Sequence, residues 1–553
     1  MRAFSQTTRR ANISKLQAHE FDLVVIGGGI TGAGVARDAA SRGMKVALVE
    51  ARDFAEGTSS RSSKLIHGGI RYLENLEFGL VFEALSERRR LFEMAPHLVH
   101  PLRFVIPLYA GGRVGMFKMG LGMWLYDALS MFEAPELHER LNPRATVDRL
   151  PVLNPDGLLG SYAYSDAYMD DDRLTIETLR SANQMGAWAV NYVKAAGVQM
   201  AGGRVQSVDC VDQLTGASFQ IKTRHIVSSV GPWTDQLGES IYSHWSKIMR
   251  PSKGVHLTFS RDRIPLKQAV VMGAEERIVF GIPRHEMVII GTTDTDFKQS
   301  PEQVKTTRED VDYLLGVVET YFPGAEITES DILASYAGVR PLVHDGSSSE
   351  SKTSREHTIF NRPEGITFVA GGKYTTYRHM AEQTVEQALQ QFSIEDQVRF
   401  GRSQTKQVLN PQATTEVFAQ QDYHVQSLAK NSRLSKEDLD FLFERHGHEV
   451  EGLLNKYEDL AVQYPDGHAK WILEAVHALD TTMCLSLKDF YLRRVPLFLA
   501  HTNHGLEFQP SLAQVFQERL ALSDAETQAQ LTALGDHMRH ELGWRGNIDN
   551  HLH

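Results

Sequence analysis

The stretch of residues 21–50, FDLVVIGGGITGAGVARDAASRGMKVALVE, decides the fold of the first part of the chain. Leu23–Ile26 is a short apolar run that is typical of a buried parallel strand. It is followed at once by glycines in the spacing GxGxxG, at Gly27, Gly29 and Gly32. The first glycine allows a tight turn, the second lets a pyrophosphate approach the backbone, and the third permits close packing of a helix on the strand.

Residues 45–49 predict a second parallel strand, and Glu50 stands at its end, where an acid can accept hydrogen bonds from the hydroxyls of an adenosine ribose. A pyrophosphate would sit at the N-terminus of the intervening helix, where backbone N–H groups are free. Strand, glycines, helix, strand and terminal acid together predict a dinucleotide-binding βαβ unit. The pattern leaves open whether the dinucleotide is FAD or NAD.

Length and composition limit the class of protein. A chain of 553 residues exceeds one ordinary hydrophobic core, so two or three domains are expected. A hydrophobic content of 42% and a charged content of 23% are typical of a soluble globular protein. The net charge of -11 gives no reason to expect a nucleic-acid partner. The two cysteines, Cys210 and Cys484, lie far apart, which predicts no disulfide framework and a reducing compartment.

Two segments bear on targeting and membranes. Residues 1–19 are basic and contain no acid, but they lack the apolar core of a secretory signal, and we expect a disordered lead-in to the first strand. No window is long and apolar enough to cross a bilayer. The nearest case, residues 114–132, predicts a mostly buried helix, with a helix lying on a membrane surface as the alternative.

A hydroxyl- and glycine-rich stretch, residues 57–73, follows the first unit and contains four basic side chains, Arg61, Lys64, His67 and Arg71. Such a segment can offer hydrogen-bond donors to phosphate and to the edge of a flavin. A strand that closes on Gly231 and Trp233 predicts a return of the chain to the nucleotide-binding layer. A second strand–glycine–helix unit, residues 366–378, supplies another helix N-terminus, with its positive dipole end.

The rest of the chain predicts a cap and a helical end domain. Short β-rich runs in residues 250–298 predict a largely antiparallel sheet over the substrate chamber, and residues 345–354 predict a mobile loop at its entrance. From about residue 405, Ser435, Ser486 and Ser523 begin helices with capping-box spacing. Histidines in this region lack zinc-ligand spacing and cysteine partners, and no EF-hand loop is present, so no metal site is predicted.

These stretches together resemble the FAD-dependent glycerol-3-phosphate dehydrogenases, from about residue 20 to residue 545. The most specific motifs are SSRSSKLIHGGIRYLE at 59–74, GTTDTD at 291–296, YAGVRPL at 336–342 and GGKYTTYR at 371–378. The end domain fits more loosely, with CLSLKDFYLRRV at 484–495 and ELGW at 541–544.

The resemblance implies an α/β fold: a Rossmann-like FAD-binding domain of the glutathione-reductase and D-amino-acid-oxidase type, an antiparallel β substrate cap and an all-α C-terminal domain. The predicted FAD-binding domain takes in residues 20–95, 161–249 and 331–400, the cap takes in 96–160 and 250–330, and the helical domain takes in 405–553. Apolar helix faces in the helical domain suggest a homodimer.

The resemblance also implies noncovalent FAD, oxidation of sn-glycerol 3-phosphate to dihydroxyacetone phosphate, and electron transfer to membrane quinone. The protein would be cytoplasmic and peripheral on the cytoplasmic face of the inner membrane. One branch of the family instead reduces oxygen to peroxide, so the acceptor stays open. Two rival functions are an amine or amino-acid oxidase on the same fold, and a flavin-binding scaffold that oxidises no substrate.

Site residues are carried over by motif. Arg71 and Arg340, with Tyr72 beside them, are the implied clamps for the substrate phosphate, because arginine binds such dianions in bidentate geometry. Lys373 and His67 are implied beside the flavin ring, and His256 on the cap faces the substrate. The proton acceptor is His67 or His256, and we favour His67. The predicted cofactor-binding residues are Gly27, Gly29, Gly32, Glu50, Ser59, Ser60, Arg61, Ser62, Ser63, Lys64, His67, Gly68, Gly69, Gly231, Trp233, Gly371, Gly372, Lys373 and Thr375.

Overall fold

The structure, a computed structural model, describes residues 2–74, 76–274, 277–344 and 356–546, so the predicted mobile loop at 345–354 lies outside the described residues. The helices are α1 Gln6–Ala18, α2 Ile30–Ser41, α3 Phe78–Met94, α4 Met116–Leu129, α5 Pro143–Arg149, α6 Asp171–Gln184, α7 Thr234–Ile241, α8 Arg308–Tyr321, α9 Tyr377–Leu389, α10 Ile394–Arg399, α11 Thr415–Phe418, α12 Gln421–Ala429, α13 Lys436–His446, α14 Glu449–Ala461, α15 Ala469–Thr481, α16 Leu487–Arg493, α17 Leu497–Ala500, α18 Gln509–Leu520 and α19 Asp524–Glu541.

Strands make up three sheets. They are β1 Glu20–Phe21, β2 Leu23–Ile26, β3 Val46–Val49, β4 Leu65–Ile66, β5 Val99–Tyr109, β6 Glu139–Leu141, β7 Leu158–Met169, β8 Trp188–Val190, β9 Val193–Ala201, β10 Arg204–Asp212, β11 Ser218–Thr223, β12 Ile226–Ser228, β13 Ser252–Ser260, β14 Ala269–Ala274, β15 Arg277–Arg284, β16 Met287–Gly291, β17 Thr295–Asp296, β18 Ile332–Arg340, β19 His357–Arg362 and β20 Ile366–Gly371.

The dinucleotide-binding layer is a six-stranded sheet in the order β19-β20-β12-β2-β3-β8. All of its pairs are parallel except the edge pair β19–β20. Strands β2 and β3 are buried on both faces, as their apolar sequences predict. Helices α2, α6 and α9 cover one face, and a four-stranded sheet, β1-β11-β10-β9, packs at the other side. The predicted Rossmann-like unit is confirmed.

The predicted antiparallel cap is a ten-stranded sheet that runs β17-β13-β16-β15-β14-β5-β7-β4, with β18 beside β13 and β6 beside β7. Two of its strands bear on the predicted domain boundaries. The boundary at 161 falls inside β7, which pairs with β5, and the boundary at 331 assigns β18 to the FAD-binding domain although β18 pairs with β13. The long strand β5 was not predicted, because Pro101 and Pro107 break its pattern.

The N-terminal prediction was wrong. Residues 6–18 form helix α1, which starts at the N-cap Ser5 and packs on β8 and β11. Arg9 is buried and donates to both carboxylate oxygens of Asp212, with a shortest N–O distance of 2.5 Å, and Asn12 donates to the carbonyl of Ala189. A basic segment is ordered here because its charge has a buried partner 203 residues away.

Helix α4 was also predicted wrongly, as mostly buried. Its buried residues are Met123, Tyr126 and Asp127, whereas Phe117 is 81% exposed and Trp124 is 62% exposed. Further exposed apolar side chains lie on α4 and next to it in sequence, at Leu121, Leu125, Met131 and Phe132. Among the described helices, none combines the length and the apolar character that a membrane span requires.

The C-terminal helical domain contains α11–α19, as predicted. Ser435, Ser486 and Ser523 are N-caps whose side chains each accept a hydrogen bond from the backbone N–H three residues on, and only Ser523 completes the reciprocal capping box. The apolar helix faces meet in a common core around Leu442, Trp471 and similar residues. Because these faces are covered within the chain, the observation that suggested a homodimer no longer supports it, and the homodimer stays a prediction.

Candidate active site

A cavity of about 1160 Å³ lies between the six-stranded sheet and the cap. Among the predicted site residues, those that line it are Gly27, Gly29, Glu50, Ser59, Ser62, Ser63, His67, Gly69, Arg71, Tyr72, Gly231, Trp233, Arg340, Gly371, Gly372 and Lys373. Residues from five motifs that are far apart in the sequence are therefore brought together around one chamber.

The turn after β2 requires glycine, because a Cβ at its three glycine positions would clash with neighbouring atoms. Gly27 has a φ of +110°, and a Cβ there would lie 2.6 Å from the carbonyl oxygen of Ser229. A Cβ on Gly29 would lie 2.9 Å from Ser59 Oγ, and one on Gly32 would lie 1.9 Å from the carbonyl oxygen of Gly27. The turn thus meets the steric demands of a pyrophosphate at the start of α2.

Glu50 is held at the end of β3. Its carboxylate accepts hydrogen bonds from the backbone N–H groups of Gly28, at 2.7 Å, and Arg52, at 2.9 Å. Burial raises the pKa of Glu50, while these two N–H groups oppose the rise. Because a carboxylate has about four acceptor positions, the side chain keeps capacity for ribose hydroxyls.

Seven predicted site residues do not line the cavity: Gly32, Ser60, Arg61, Lys64, Gly68, Thr375 and His256. Several of them support the wall from behind. Lys64 forms a buried ion pair with Asp171, and its Nζ also donates to the carbonyl of Ser60 at 3.4 Å. Thr375 Oγ1 accepts from the backbone N–H of His67 at 3.2 Å.

One end of the cavity combines cations with an imidazole. Lys373 Nζ lies 3.6 Å from the ring centroid of Tyr72, a cation–π contact, and Arg71 adjoins this pair on the 3-10 helix Ile70–Leu73. Neither ring nitrogen of His67 is hydrogen-bonded to a residue that the structure describes. Burial lowers the pKa of His67; Asp166 opposes this shift, and Lys373 and Arg88 add to it.

The loop that carries His67 is braced by a buried polar group. Gly68 N–H donates to Tyr126 OH at 3.0 Å and to Asp166 Oδ1 at 3.3 Å, and Tyr126 OH donates to Asp166 Oδ2 at 2.7 Å. Arg88 completes the group through an ion pair of 2.5 Å with Asp166. Sequence reasoning missed these three residues, because Arg88 and Asp166 are separated by 78 positions and no motif links them.

Arg340 is positioned by the GTTDTD segment. Its Nη1 donates to Asp294 Oδ1 at 3.1 Å, and its Nη2 donates to Thr292 Oγ1 and to the carbonyl of Thr293, both at 3.0 Å. Thr292, Asp294 and Arg340 all line the cavity. The segment therefore fixes the direction of the guanidinium, a role that the sequence did not reveal.

His256 is farther from the chamber than predicted. Its Nε2 is 2.9 Å from Ser63 Oγ, and its ring stacks on Tyr336 with centroids 4.7 Å apart. Burial lowers the pKa of His256 well below its usual value, and Arg340 and Lys64 lower it further. Ser63, which does line the cavity, thus links His256 to the chamber.

Sequence reasoning also missed lining residues that belong to no motif. On the cap they are Tyr164, Val271, Arg277, Ile278 and Phe280, and beside β9 and β10 they are Val193, Lys194, Ala195, Ala196, Val211 and Gln213. The alternation of inward and outward side chains on the cap strands was the available signal, but it required the strand order to be known.

The histidines of the helical domain lack metal-ligand spacing in the sequence, but the fold brings three possible ligand residues together. His446, Glu449 and His477 offer ligand atoms within 4.8 Å of one another. Glu449 already accepts from Arg180 at 2.8 Å, from Asn410 at 2.9 Å and from His477 at 2.8 Å. Because guanidinium groups crowd this cluster, we interpret it as a buried ion-pair network between the helical domain and α6.

Comparisons with known proteins agree with this geometry. Residues 22–378 match the FAD dependent oxidoreductase family, and residues 414–527 match the C-terminal domain of alpha-glycerophosphate oxidase. An aerobic glycerol-3-phosphate dehydrogenase of Staphylococcus aureus strain MRSA252 is 34% identical over 535 residues, which cover 95% of this chain and 95% of that protein. The chain belongs to the FAD-dependent glycerol-3-phosphate dehydrogenase family. The predicted FAD cofactor is confirmed with it.

Solved structures place this family member among similar folds. The glycerol-3-phosphate dehydrogenase of Bacillus halodurans, complexed with FAD, matches with a TM-score of 0.81 and 29% identity, over 97% of this chain and 98% of that chain. The L-alpha-glycerophosphate oxidase of Mycoplasma pneumoniae is 17% identical with a TM-score of 0.52, over 67% of this chain and 95% of its own. Glycine oxidase from Geobacillus kaustophilus is 18% identical with a TM-score of 0.52, over 70% of this chain and 99% of its own. The last two show the fold alone.

Proposed function

We propose that this protein oxidises sn-glycerol 3-phosphate to dihydroxyacetone phosphate and passes the electrons to a membrane quinone. The observation that carries the proposal is that Arg71, Arg340 and Lys373 line the same cavity as His67, whose ring nitrogens have no hydrogen bond to a described residue. A phosphate dianion needs such cations, and a secondary alcohol needs a proton acceptor beside them. Bound FAD supplies the hydride acceptor, at flavin N5.

Arg340 and Arg71 hold the phosphate of the substrate in this proposal. The side chain of Arg340 is 23% exposed and is aimed by Asp294 and Thr292, so its guanidinium is ordered before the substrate arrives. Pre-ordering of this kind lowers the entropy that binding must remove. The GTTDTD segment thus acts as the support of the phosphate site.

His67 accepts the hydroxyl proton. Its lowered pKa keeps the ring neutral at physiological pH, and a neutral ring has one nitrogen that can accept a proton. Nearby Lys373 disfavours the protonated ring, which helps the proton to leave afterwards. His256 is the weaker candidate, because its Nε2 is 2.9 Å from Ser63 Oγ and its ring lies behind the wall.

Helix α4 is proposed to rest on a lipid surface. It packs against α3, and near the start of α3 the side chains of Leu76, Phe78 and Phe82 are 71%, 40% and 47% exposed. Scattered apolar residues are normal on a protein surface, but this many large exposed apolar side chains on two packed helices favour an interaction site. Both helices contact the 3-10 helix Ile70–Leu73, which lines the cavity, so a lipid-borne quinone would reach the flavin end by a short path.

This arrangement would make the protein peripheral on the cytoplasmic face of the inner membrane. Lys118 is exposed on α4 and can contact anionic headgroups while the apolar side chains enter the interface.

The alternative acceptor is oxygen, with release of peroxide. It is favoured by one observation, the match of residues 414–527 to a domain named for alpha-glycerophosphate oxidase. The exposed apolar surface of α4 favours the quinone.

A steady-state assay of the FAD-loaded protein tests the proposal. Turnover is measured with glycerol 3-phosphate, glycerol and glycine, each with a soluble quinone in the absence of air and with air alone. We expect dihydroxyacetone phosphate from glycerol 3-phosphate and quinone, and kcat/KM for glycerol lower by roughly 10⁴, because a site whose cations are placed for a phosphate rejects a substrate that lacks one. Rapid peroxide formation in air would move the assignment to the oxidase, and turnover of glycine would overturn the substrate.

A further inference from the structure

Two loops of the FAD site are supported from behind by the helical domain. Residues 50–57 and residues 59–64 both contribute to the cavity wall, at Glu50, Ala51, Arg52, Glu56, Gly57, Ser59, Ser62 and Ser63. Each loop also carries a charged side chain that does not line the cavity and that pairs with the helical domain. These are Asp53 in the first loop and Arg61 in the second, and both pair with residues more than 430 positions away in the sequence.

Asp53 is fully buried between two consecutive arginines at the end of α16. Its Oδ2 accepts from Arg493 Nε at 2.7 Å and from Arg494 Nη1 at 2.8 Å, and its Oδ1 accepts from Arg494 Nη2 at 3.0 Å. Arg493 Nη2 also lies 3.3 Å from Glu56 Oε2 in the cavity wall. The loop reaches the glycine turn itself, since the backbone N–H of Ala55 donates to the carbonyl of Gly28 at 3.1 Å.

Arg61 is held by the end of α19. Its Nη1 donates to Glu541 Oε1 at 2.6 Å and to the carbonyl of Ala337 at 2.9 Å, and Glu541 is 1% exposed. The backbone carbonyl of Glu541 accepts from Ser335 Oγ at 2.5 Å. Ser335 and Ala337 belong to β18, the strand that ends at Arg340, so the same helix end touches the loop at the cofactor and the strand of the phosphate clamp.

Such contacts matter because the carboxylates of Asp53 and Glu541 are buried and tolerate little displacement from their partners. Moving the arginine away would leave an uncompensated charge out of water, which is strongly unfavourable. The two loops are therefore fixed in position by the helical domain, although that domain contributes no residue to the cavity lining among the described residues.

We propose that the C-terminal helical domain slows the release of FAD by holding two loops of the FAD site in position. Arg493 and Arg494 position the first loop through Asp53, and Glu541 positions the second loop through Arg61. The proposal rests on the FAD cofactor of the family and does not depend on the substrate. Because FAD leaves by displacement of these loops, weakening either contact accelerates its release.

The test compares two matched variants, Glu541→Gln and Glu474→Gln. Glu474 is 2% exposed, pairs with Arg445 at 2.6 Å and lies 2.9 Å from His446, whereas Glu541 pairs with Arg61 at 2.6 Å and lies 3.4 Å from His537. The two differ in that Glu474 contacts neither loop of the site. FAD release from diluted holoenzyme is followed by the fluorescence of the freed flavin, with visible circular dichroism of bound flavin and thermal unfolding measured on the same samples.

We expect Glu541→Gln to release FAD about tenfold faster and to change the visible circular dichroism of bound flavin. Glu474→Gln should stay within about twofold of the parent in FAD release, even where it lowers the unfolding temperature as much. Arg61→Lys provides a second variant, since Arg61 is partly exposed and lysine loses the paired hydrogen bonds; it should accelerate release as well. Equal acceleration by both glutamate variants, or no acceleration by either Glu541→Gln or Arg61→Lys, would overturn the proposal.

Discussion

At the scale of single residues, the site distinguishes the half-buried His67 from the buried His256 by their partners. His67 lines the cavity without a ring hydrogen bond among the described residues, whereas His256 contacts Ser63 and stacks on Tyr336. Both rings have lowered pKa values, so pKa alone does not choose the base. Access to the reacting hydroxyl distinguishes the two candidates, because a general base must be within hydrogen-bond reach of the proton.

Replacing His67 with asparagine should lower the rate of flavin reduction by glycerol 3-phosphate by about 10²–10⁴, because proton abstraction is lost while the shape is nearly kept. If His67 is the base, only its neutral ring is active in the parent, and burial lowers its pKa from the ordinary histidine value of about 6.5. The rate should therefore stay level from alkaline pH down to about pH 6.5 and fall only at lower pH, and this acid limb should vanish in the variant. Rapid-mixing kinetics across pH measure both. His256→Asn is the control, and a larger loss there would transfer the role to His256.

Arg340→Lys should raise KM for glycerol 3-phosphate by about 10- to 100-fold, with a smaller change in kcat. Lysine keeps the charge but loses the planar fork that Asp294 and Thr292 aim. Arg263→Lys is the control, because Arg263 pairs with Asp331 outside the cavity lining. Equal KM values for the parent and Arg340→Lys would show that Arg340 does not bind the phosphate.

The residues that sequence could name are those in motifs with a local geometric reason. Gly27, Gly29 and Glu50 follow from one βαβ unit, whose turn and strand end place them without knowledge of the rest. Asp166 and Arg88 could not be named, because their roles arise from a pairing across the fold. The contact of Asp294 with Arg340 could not be predicted for the same reason.

At the scale of elements, prediction failed where tertiary contacts override a local pattern. Strand β5 carries Pro101 and Pro107 and was not foreseen. On one edge, β5 pairs with β7 along its whole length. On the other edge, β14 pairs only with Phe104 and Val105, so at each proline this edge has no partner strand among the described residues, and a proline can be accommodated there. Helix α1 is basic along its length, yet Arg9 finds a buried acid in β10.

Helix α4 offers a direct test of membrane contact. A Phe117→Ser, Trp124→Ser double variant should lose most of its binding to vesicles with anionic lipid and should reduce vesicle-borne quinone poorly, because both side chains are mainly exposed and apolar. Its rate with a soluble dye acceptor should be unchanged. Tyr423→Ser, at an aromatic residue that is 71% exposed on α12, is the control. Vesicle binding that survives the double variant would move the docking surface elsewhere.

At the scale of the whole molecule, ion pairs join the helical domain to the FAD-binding layer. Burial opposes the ionisation of Asp53, but Arg494 and Arg493 outweigh it and hold the pKa of Asp53 well below its usual value. A depressed folded-state pKa contributes stability above the unfolded value, about 3.9 for aspartate, and this stability is lost as pH falls toward the folded value.

We therefore expect the holoenzyme to keep this contribution to its stability down to about pH 4 and to lose it progressively below. Flavin fluorescence and far-ultraviolet circular dichroism, followed together through an acid titration, measure the effect. Arg494→Gln removes one of the two partners and should shift FAD loss to higher pH. If FAD instead leaves the parent between pH 6 and pH 5, groups other than Asp53 control retention.

The overall architecture could be predicted further than the site. Two strand–glycine–helix units and a run of capped helices specify the dinucleotide-binding layer and the end domain, because both patterns are local. How the helical domain contacts the FAD loops could not be predicted, since those contacts join residues such as Asp53 and Arg494 that no spacing relates.

The most direct test of the account is anaerobic mixing of the FAD-loaded protein with glycerol 3-phosphate and with its C2-deuterated form, while the flavin absorbance is recorded. Hydride transfer from C2 predicts loss of the oxidised flavin band with both substrates, several-fold more slowly with deuterium. Absence of bleaching would contradict the assigned substrate. Bleaching at equal rates with the two substrates would contradict hydride transfer from C2 as the rate-limiting step of flavin reduction.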